Sequence, residues 1–128
     1  AYIKEYTGKL SPVCGCSVAA GIGASASIAW LLGGGYDQVV GAINNMVGAI
    51  SGMVCDGAKG GCAYKLSTAA SEAVIQAYLA VNGVVISKLD GIVGDDVEDT
   101  IKNLGVLSSE GMKDMDGAIL KIMTNKVV

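Results

Sequence analysis

Apolar positions recur along this chain with helical spacing. Val39, Val40, Ile43, Val47 and Ile50 fall on one side of a 3.6-residue repeat and predict a helix from about Tyr36 to Val54. Ahead of it, Ser11-Pro12 reads as an N-cap followed by proline at the first helical position. That first helix runs through Trp30 to Leu32 and stops at Gly33-Gly34-Gly35. A polar loop, Asp56 to Gly61, precedes a third helix from about Cys62 to Val81, ended by Asn82-Gly83. Residues 84–94 read as irregular or as a short strand. A fourth helix, capped by Asp95, places Val97, Ile101 and Leu104 on one face. A fifth begins near Ser108 or Ser109 and carries Met112, Met115, Ile119 and Ile122. The pattern predicts one all-α domain over residues 1–128, a bundle of about five helices.

Composition sharpens the packing. Hydrophobic residues make up 52% of the 128, with 19 glycines and no phenylalanine, so the central helices are rich in Gly and Ala and can approach closely. Residues 1–80 hold eight charged side chains and residues 81–128 the other thirteen, which marks the first part as core and the second as a more solvated layer. No charge occurs between Lys9 and Asp37 or between Asp37 and Asp56. Gly, Ala and Ser in the first gap, and Gln38, Asn44 and Asn45 in the second, favour buried helices over membrane spans. A net charge of −3 without a basic cluster argues against nucleic acid. The opening AYIKEYTGK is not a signal peptide, and a cytoplasmic location follows as the expectation. Beginning at Ala1, the chain reads as part of a longer protein.

There is no histidine, so any metal site must rest on thiolates, carboxylates or backbone. The four cysteines are spaced Cys14-x-Cys16 and Cys55-x6-Cys62. Cys14 falls in the first turn after Ser11-Pro12, Cys55 ends the second helix, and Cys62 opens the third. Helix N-termini stabilise thiolates. Up-and-down packing returns Cys55 to the Cys14 end. Disulfides would need an oxidising compartment, and an all-cysteine zinc site would lack the usual knuckles. Buried inert thiols are the plain alternative, above all for Cys16. Thiolate ligation of an iron–sulfur cluster suits the rest. Two residues apart on a helix, Cys14 and Cys16 should face different ways, so three ligands are expected rather than four. Three ligands leave one iron open as a Lewis acid, which favours chemistry over electron transfer.

The strings SPVCGCSVAAGIGASASIAWLLGG, GMVCDGAKGGCAYK and DGIVGDDVEDTIKNLG resemble the C-terminal half of the L-cysteine desulfidase family, itself related to the iron–sulfur L-serine dehydratase alpha chain. The resemblance implies a [4Fe–4S] cluster with one open iron. Cys55 and Cys62 carry over as ligands, with Cys14 as the third and Cys16 as its alternative. The implied reaction is β-elimination of L-cysteine to pyruvate, ammonia and sulfide. Dehydration of L-serine is the nearest alternative, and a non-catalytic scaffold domain of a larger subunit is a second class of reading. The implied partners are a small amino acid and the N-terminal half of the same enzyme, without which the chain is expected to be inactive. Association into a homo-oligomer stays open, and no general base is identified.

Other residues are weighed around that site. Lys59, inside the inter-cysteine loop, is a candidate to pair with a substrate carboxylate or to offset the cluster's negative charge; Ser67 and Thr68, one to two turns past Cys62, are candidate substrate-binding residues, and Lys65 is a weaker one. Asp56 is expected to cap the third helix. The acidic run Asp95, Asp96, Glu98 and Asp99 lacks EF-hand spacing and fits a helix N-terminus. Gly21-Ile-Gly23 lies within a helical run and carries no nucleotide fingerprint.

Overall fold

The computed structural model describes residues 1–126. It is all-α, with six helices: α1 (Tyr2–Thr7), α2 (Ala20–Leu31), α3 (Tyr36–Ile50), α4 (Gly60–Val81), α5 (Val97–Val106) and α6 (Met115–Thr124). A π-helical turn, Gly15–Ala19, runs directly into α2, and a second, Leu107–Gly111, follows α5. Among the described residues there is no strand, only an isolated antiparallel bridge between Val13 and Val54. Among the described residues no helix is long and apolar enough to cross a membrane.

Three long helices, α2, α3 and α4, pack on one another, while α1 lies on α5 and α5 on α3. Small residues set how closely they approach. A Cβ on Gly21 would sit 3.0 Å from Met46 Cε and 3.3 Å from Ala69 Cβ, so α2 meets both neighbours where it has no side chain. At the other end Gly34 abuts Val81. The start of α2 therefore lies beside the first half of α4, and its exit beside the end of α4. The two helices run the same way, with α3 returning between them. Ile22, Met46, Val47 and Leu104 fill the main core, and Ala29, Ala42, Ala77 and Ala80 form a second, alanine-packed cluster.

Several boundaries differ from the sequence reading. Ser11-Pro12 does not open a helix. Its hydroxyl donates to Val13 O at 2.9 Å, and the extended segment that follows pairs with residues 53–55. Proline favours this extended route as readily as a helix start. α3 stops at Ile50 rather than Val54, where Ser51-Gly52 breaks the repeat and frees Met53 and Val54 for that pairing. α4 begins at Gly60, and α5 is capped by Asp96, not Asp95, through a 2.8 Å bond from Asp99 N. The last helix begins at Met115, because residues near Ser108 continue α5 as a π-turn. The unforeseen α1 docks Tyr6 against Gly105, while the Tyr2 hydroxyl donates to Glu98. Residues 84–94 are irregular.

Buried Asn45 explains the ordered path after α4. Its side-chain amide donates to Val84 O at 2.9 Å, and its oxygen accepts from Ile86 N at 2.8 Å. Replacing it by alanine removes both bonds and strands two backbone groups, so Asn45→Ala should lower stability by about 2 kcal/mol. Urea unfolding checks this, and an unchanged midpoint would show that the clamp carries no load.

Candidate functional site

The parallel course of α2 and α4, with α3 returning, gathers all four cysteines at one end of the bundle. Cys14 lies just before the π-turn with extended backbone (φ −65°, ψ 108°). Cys16 lies inside that turn. Cys14 is therefore not one of two thiols on a regular helix, and the expected divergence of the pair does not occur: their sulfurs are 3.4 Å apart. Cys16 Sγ also lies 3.1 Å from Cys62 Sγ, across 46 residues of chain. Helix geometry therefore does not separate Cys14 from Cys16 as ligands. Cys14 is buried at 1% exposure and touches the Ser17 hydroxyl, whereas Cys16 is exposed.

Cys55 joins this end through backbone pairing. Its N–H donates to Pro12 O at 2.6 Å, and the N–H of Cys14 donates to Met53 O at 2.9 Å. These bonds flank the Val13–Val54 bridge and lock the two cysteine segments side by side. The loop beyond turns at Gly57, whose φ of +101° favours glycine. Lys59 is the N-cap of α4 by its backbone alone, and its carbonyl accepts from Cys62 N at 2.8 Å.

Asp56 does not cap α4. It pairs instead with Lys65, one turn past Cys62, whose ammonium also donates to Val54 O at 2.9 Å. The pair ties the loop to α4 on both sides of Cys55. The bond to Lys65 holds the Asp56 carboxyl below its ordinary range, against a smaller desolvation effect. The bond to Asp56 raises Lys65, opposed by desolvation and helped by the fields of Cys14 and Cys55. Lys65, weaker than Lys59 in the sequence reading, is thus the lysine whose ammonium reaches the Cys55 segment. A spacing of three from Cys62 was the available signal, but its partner at Val54 was not visible in the pattern.

Two clefts open beside the thiols. One, of about 450 Å³, is bordered by Lys4, Lys9, Ser11, Cys55 and Asp56. The other, of about 410 Å³, is bordered by Asp56, Lys59, Gly61, Cys62 and Lys126. Ile119 and Met123 of α6 wall both. Lys4 reaches the first cleft because α1 folds back; its ammonium donates to the Ser11 hydroxyl at 3.2 Å. Ser67 and Thr68 are exposed and border neither cleft, and the Thr68 hydroxyl bonds to Tyr64 O on its own helix. Among the described residues, no three Cys, Asp or Glu side chains stand at metal-holding spacing; the sulfur of Cys16 touches those of Cys14 and Cys62, and Cys55 is held nearby through its backbone.

Residues 1–121 match the serine dehydratase alpha chain family. The chain belongs to the serine dehydratase alpha chain family. It is 57% identical over 127 residues to a UPF0597 protein of Clostridium botulinum, covering 99% of this chain and 29% of that one. A UPF0597 protein of Alkaliphilus oremlandii is 61% identical over 122 residues, or 95% and 28% of the two chains. One from Desulforapulum autotrophicum is 52% identical over 128 residues, or 100% and 29%. The chain therefore spans under a third of the length of these relatives. No solved structure matches it.

Exposure orders the thiols. Under native alkylation Cys16 should react first and Cys14 last, with Cys55 and Cys62 between them. Peptide mass spectrometry reads the order, and early labelling of Cys14 would contradict its burial. The ion pair has a pH signature as well. Asp56 is depressed on folding, so its contribution is present above its ordinary value of 3.8 and is lost as pH falls through the lower folded value. Lys65 is raised, so its share disappears only in strong alkali, above its ordinary 10.5. Lys65→Met should flatten the acid limb of thermal stability measured from about pH 7 to about pH 3. An unchanged acid limb would show that the pair does not bind the loop to α4.

Proposed function

We propose that this chain is the cluster-binding part of an iron–sulfur lyase that eliminates sulfide from L-cysteine. The observation that carries the reading is the gathering of four free cysteines at one end of the bundle, three with sulfurs in contact and Cys55 paired through its backbone, beside two clefts in a serine dehydratase-type chain with no histidine. The donor set fits the group: thiolates are the usual ligands of [4Fe–4S] clusters. Cys62 lies in the first turn of α4, and the Lys65 ammonium lies near Cys14 and Cys55, where it would offset the negative charge of a thiolate-ligated cluster. Thiols packed in contact must spread to surround a cluster. The glycine-rich loop from Asp56 to Gly61 is the part of the chain best able to give.

Cys55 and Cys62 supply two ligands. For the third, the geometry favours Cys16 over Cys14, because its sulfur already touches that of Cys62 and is open to solvent. Cys14, packed into the core with Val13 and Val18, is the alternative. When bound, the cluster supplies a Lewis-acidic iron for the leaving group. The chain's own residues provide the setting. The bonds between residues 12–14 and 53–55 fix the ligand segments, and Lys65 with Asp56 holds the loop. Lys59 and Lys4 place cations at the two cleft mouths, where a substrate carboxylate would sit. α6 narrows the access of water. The overall change is loss of the α-proton and of sulfide, then hydrolysis of the resulting aminoacrylate to pyruvate and ammonia.

The substrate is decided by assaying the full-length protein anaerobically for sulfide from L-cysteine and for pyruvate from L-serine. Sulfide release that disappears in Cys55→Ala and Cys62→Ala is expected. Pyruvate from L-serine alone would make the enzyme a serine dehydratase. Neither product, from protein that carries its cluster, would overturn the lyase reading.

A further inference from the structure

α4 is built inside out for a surface helix. Its inward face carries only alanine at the closest contacts: Ala69, Ala73, Ala77 and Ala80, each at 0–1% exposure. Its large apolar residues point the other way. Tyr64 is 79% exposed, Tyr78 53% and Ile75 48%. An ordinary amphipathic helix buries its large side chains and shows solvent its charges. Here the 22-residue helix holds two charges. Lys65 is turned to Val54 and Asp56, and half-buried Glu72 accepts from Gln76, so neither serves the outer face.

The outward residues have an order of their own. Tyr64, Thr68, Ser71, Ile75 and Tyr78 alternate spacings of four and three, which places them in one straight seam along the helix. Val74 and Leu79 flank it and are also exposed. A seam of this spacing is what a second helix packs against. Contiguous exposed apolar surface of this kind marks interaction faces. The relatives supply a candidate occupant, since more than two thirds of their length lies outside the part this chain matches.

We propose that the outward face of α4 is an internal interface of the longer protein, covered by an apolar helix from the part of the polypeptide outside these 128 residues. α4 then becomes a central helix, packed through alanines on one side and through Tyr64, Ile75 and Tyr78 on the other. The small residues inside let α2 and α3 approach, and the large ones reach across to the second layer. This inference rests on family membership and on the packing of α4, not on the lyase reading, and its test does not use activity.

The experiment grafts this chain into the Clostridium botulinum relative in place of its matching segment. Hydroxyl-radical footprinting of the graft is compared with that of the 128-residue chain alone. Tyr64 and Tyr78 should label readily in the isolated chain and lose most of that labelling in the graft, while Tyr36, exposed at the start of α3, serves as the reference. Ile75→Lys with Tyr78→Lys should leave the helicity and melting of the isolated chain unchanged, because both side chains are exposed there. The same pair should lower the melting temperature of the graft. Equal labelling of the tyrosines in both contexts overturns the proposal. So does an isolated chain that dimerises and is made monomeric by the double variant, which would assign the face to a second copy. A graft that is insoluble also counts against it, because the face would then have found no cover.

Discussion

The site depends on a short stretch of extended pairing in a protein otherwise made of helices. Residues 12–14 run antiparallel to residues 53–55, joined by the Val13–Val54 bridge and by two backbone bonds that reach from Cys14 and Cys55 themselves. Without it, α2 and α4 would still pack, but nothing would hold the first cysteine segment against the second. The pairing also explains why α3 ends early and why Pro12 is tolerated: the chain needs extended backbone at both places. A buried backbone donor must find a partner, and here the donors of two cysteines find theirs on the opposite cysteine segment.

Around this pairing the energetics are divided. The bundle is held by close approach of small residues, which gains dispersion contacts at little side-chain entropy cost. The cysteine end is held by polar clamps. Lys65 reaches Val54 O and Asp56, Lys4 reaches Ser11, and Asn45 anchors the distant exit of α4. Tight packing fixes where the helices lie, and the clamps fix loops that packing alone would leave free to move. The proposed cluster site would benefit from this division, since a loop held by a few side-chain bonds can exchange them while the helices stay in place.

Much of the fold was legible in the sequence because periodicity reports local structure. α3 and α4 show it plainly, and the alternation of helix directions that returns Cys55 to Cys14 follows from their lengths. What was not legible involved partners far away in sequence. Ser11-Pro12 carries a good helix-start signal, yet its segment is claimed by residues some forty positions on. Asp56 has the chemistry of an N-cap, but Lys65 offers it a stronger partner. The Cys14–Cys16 contact is hidden for the same reason, since the local signals there read as helix where tertiary pairing imposes extended backbone. α1 escaped notice because its buried positions, Ile3 and Thr7, are interleaved with charge and tyrosine.

Anaerobic reconstitution of the 128-residue chain with ferrous iron and sulfide tests most directly the proposal that Cys16, Cys55 and Cys62 hold a cluster. The prediction is brown protein with about four iron and four sulfide per chain. That content should be kept in Cys14→Ala and lost in Cys16→Ala, Cys55→Ala and Cys62→Ala. Colourless wild-type protein that takes up neither iron nor sulfide would contradict the account.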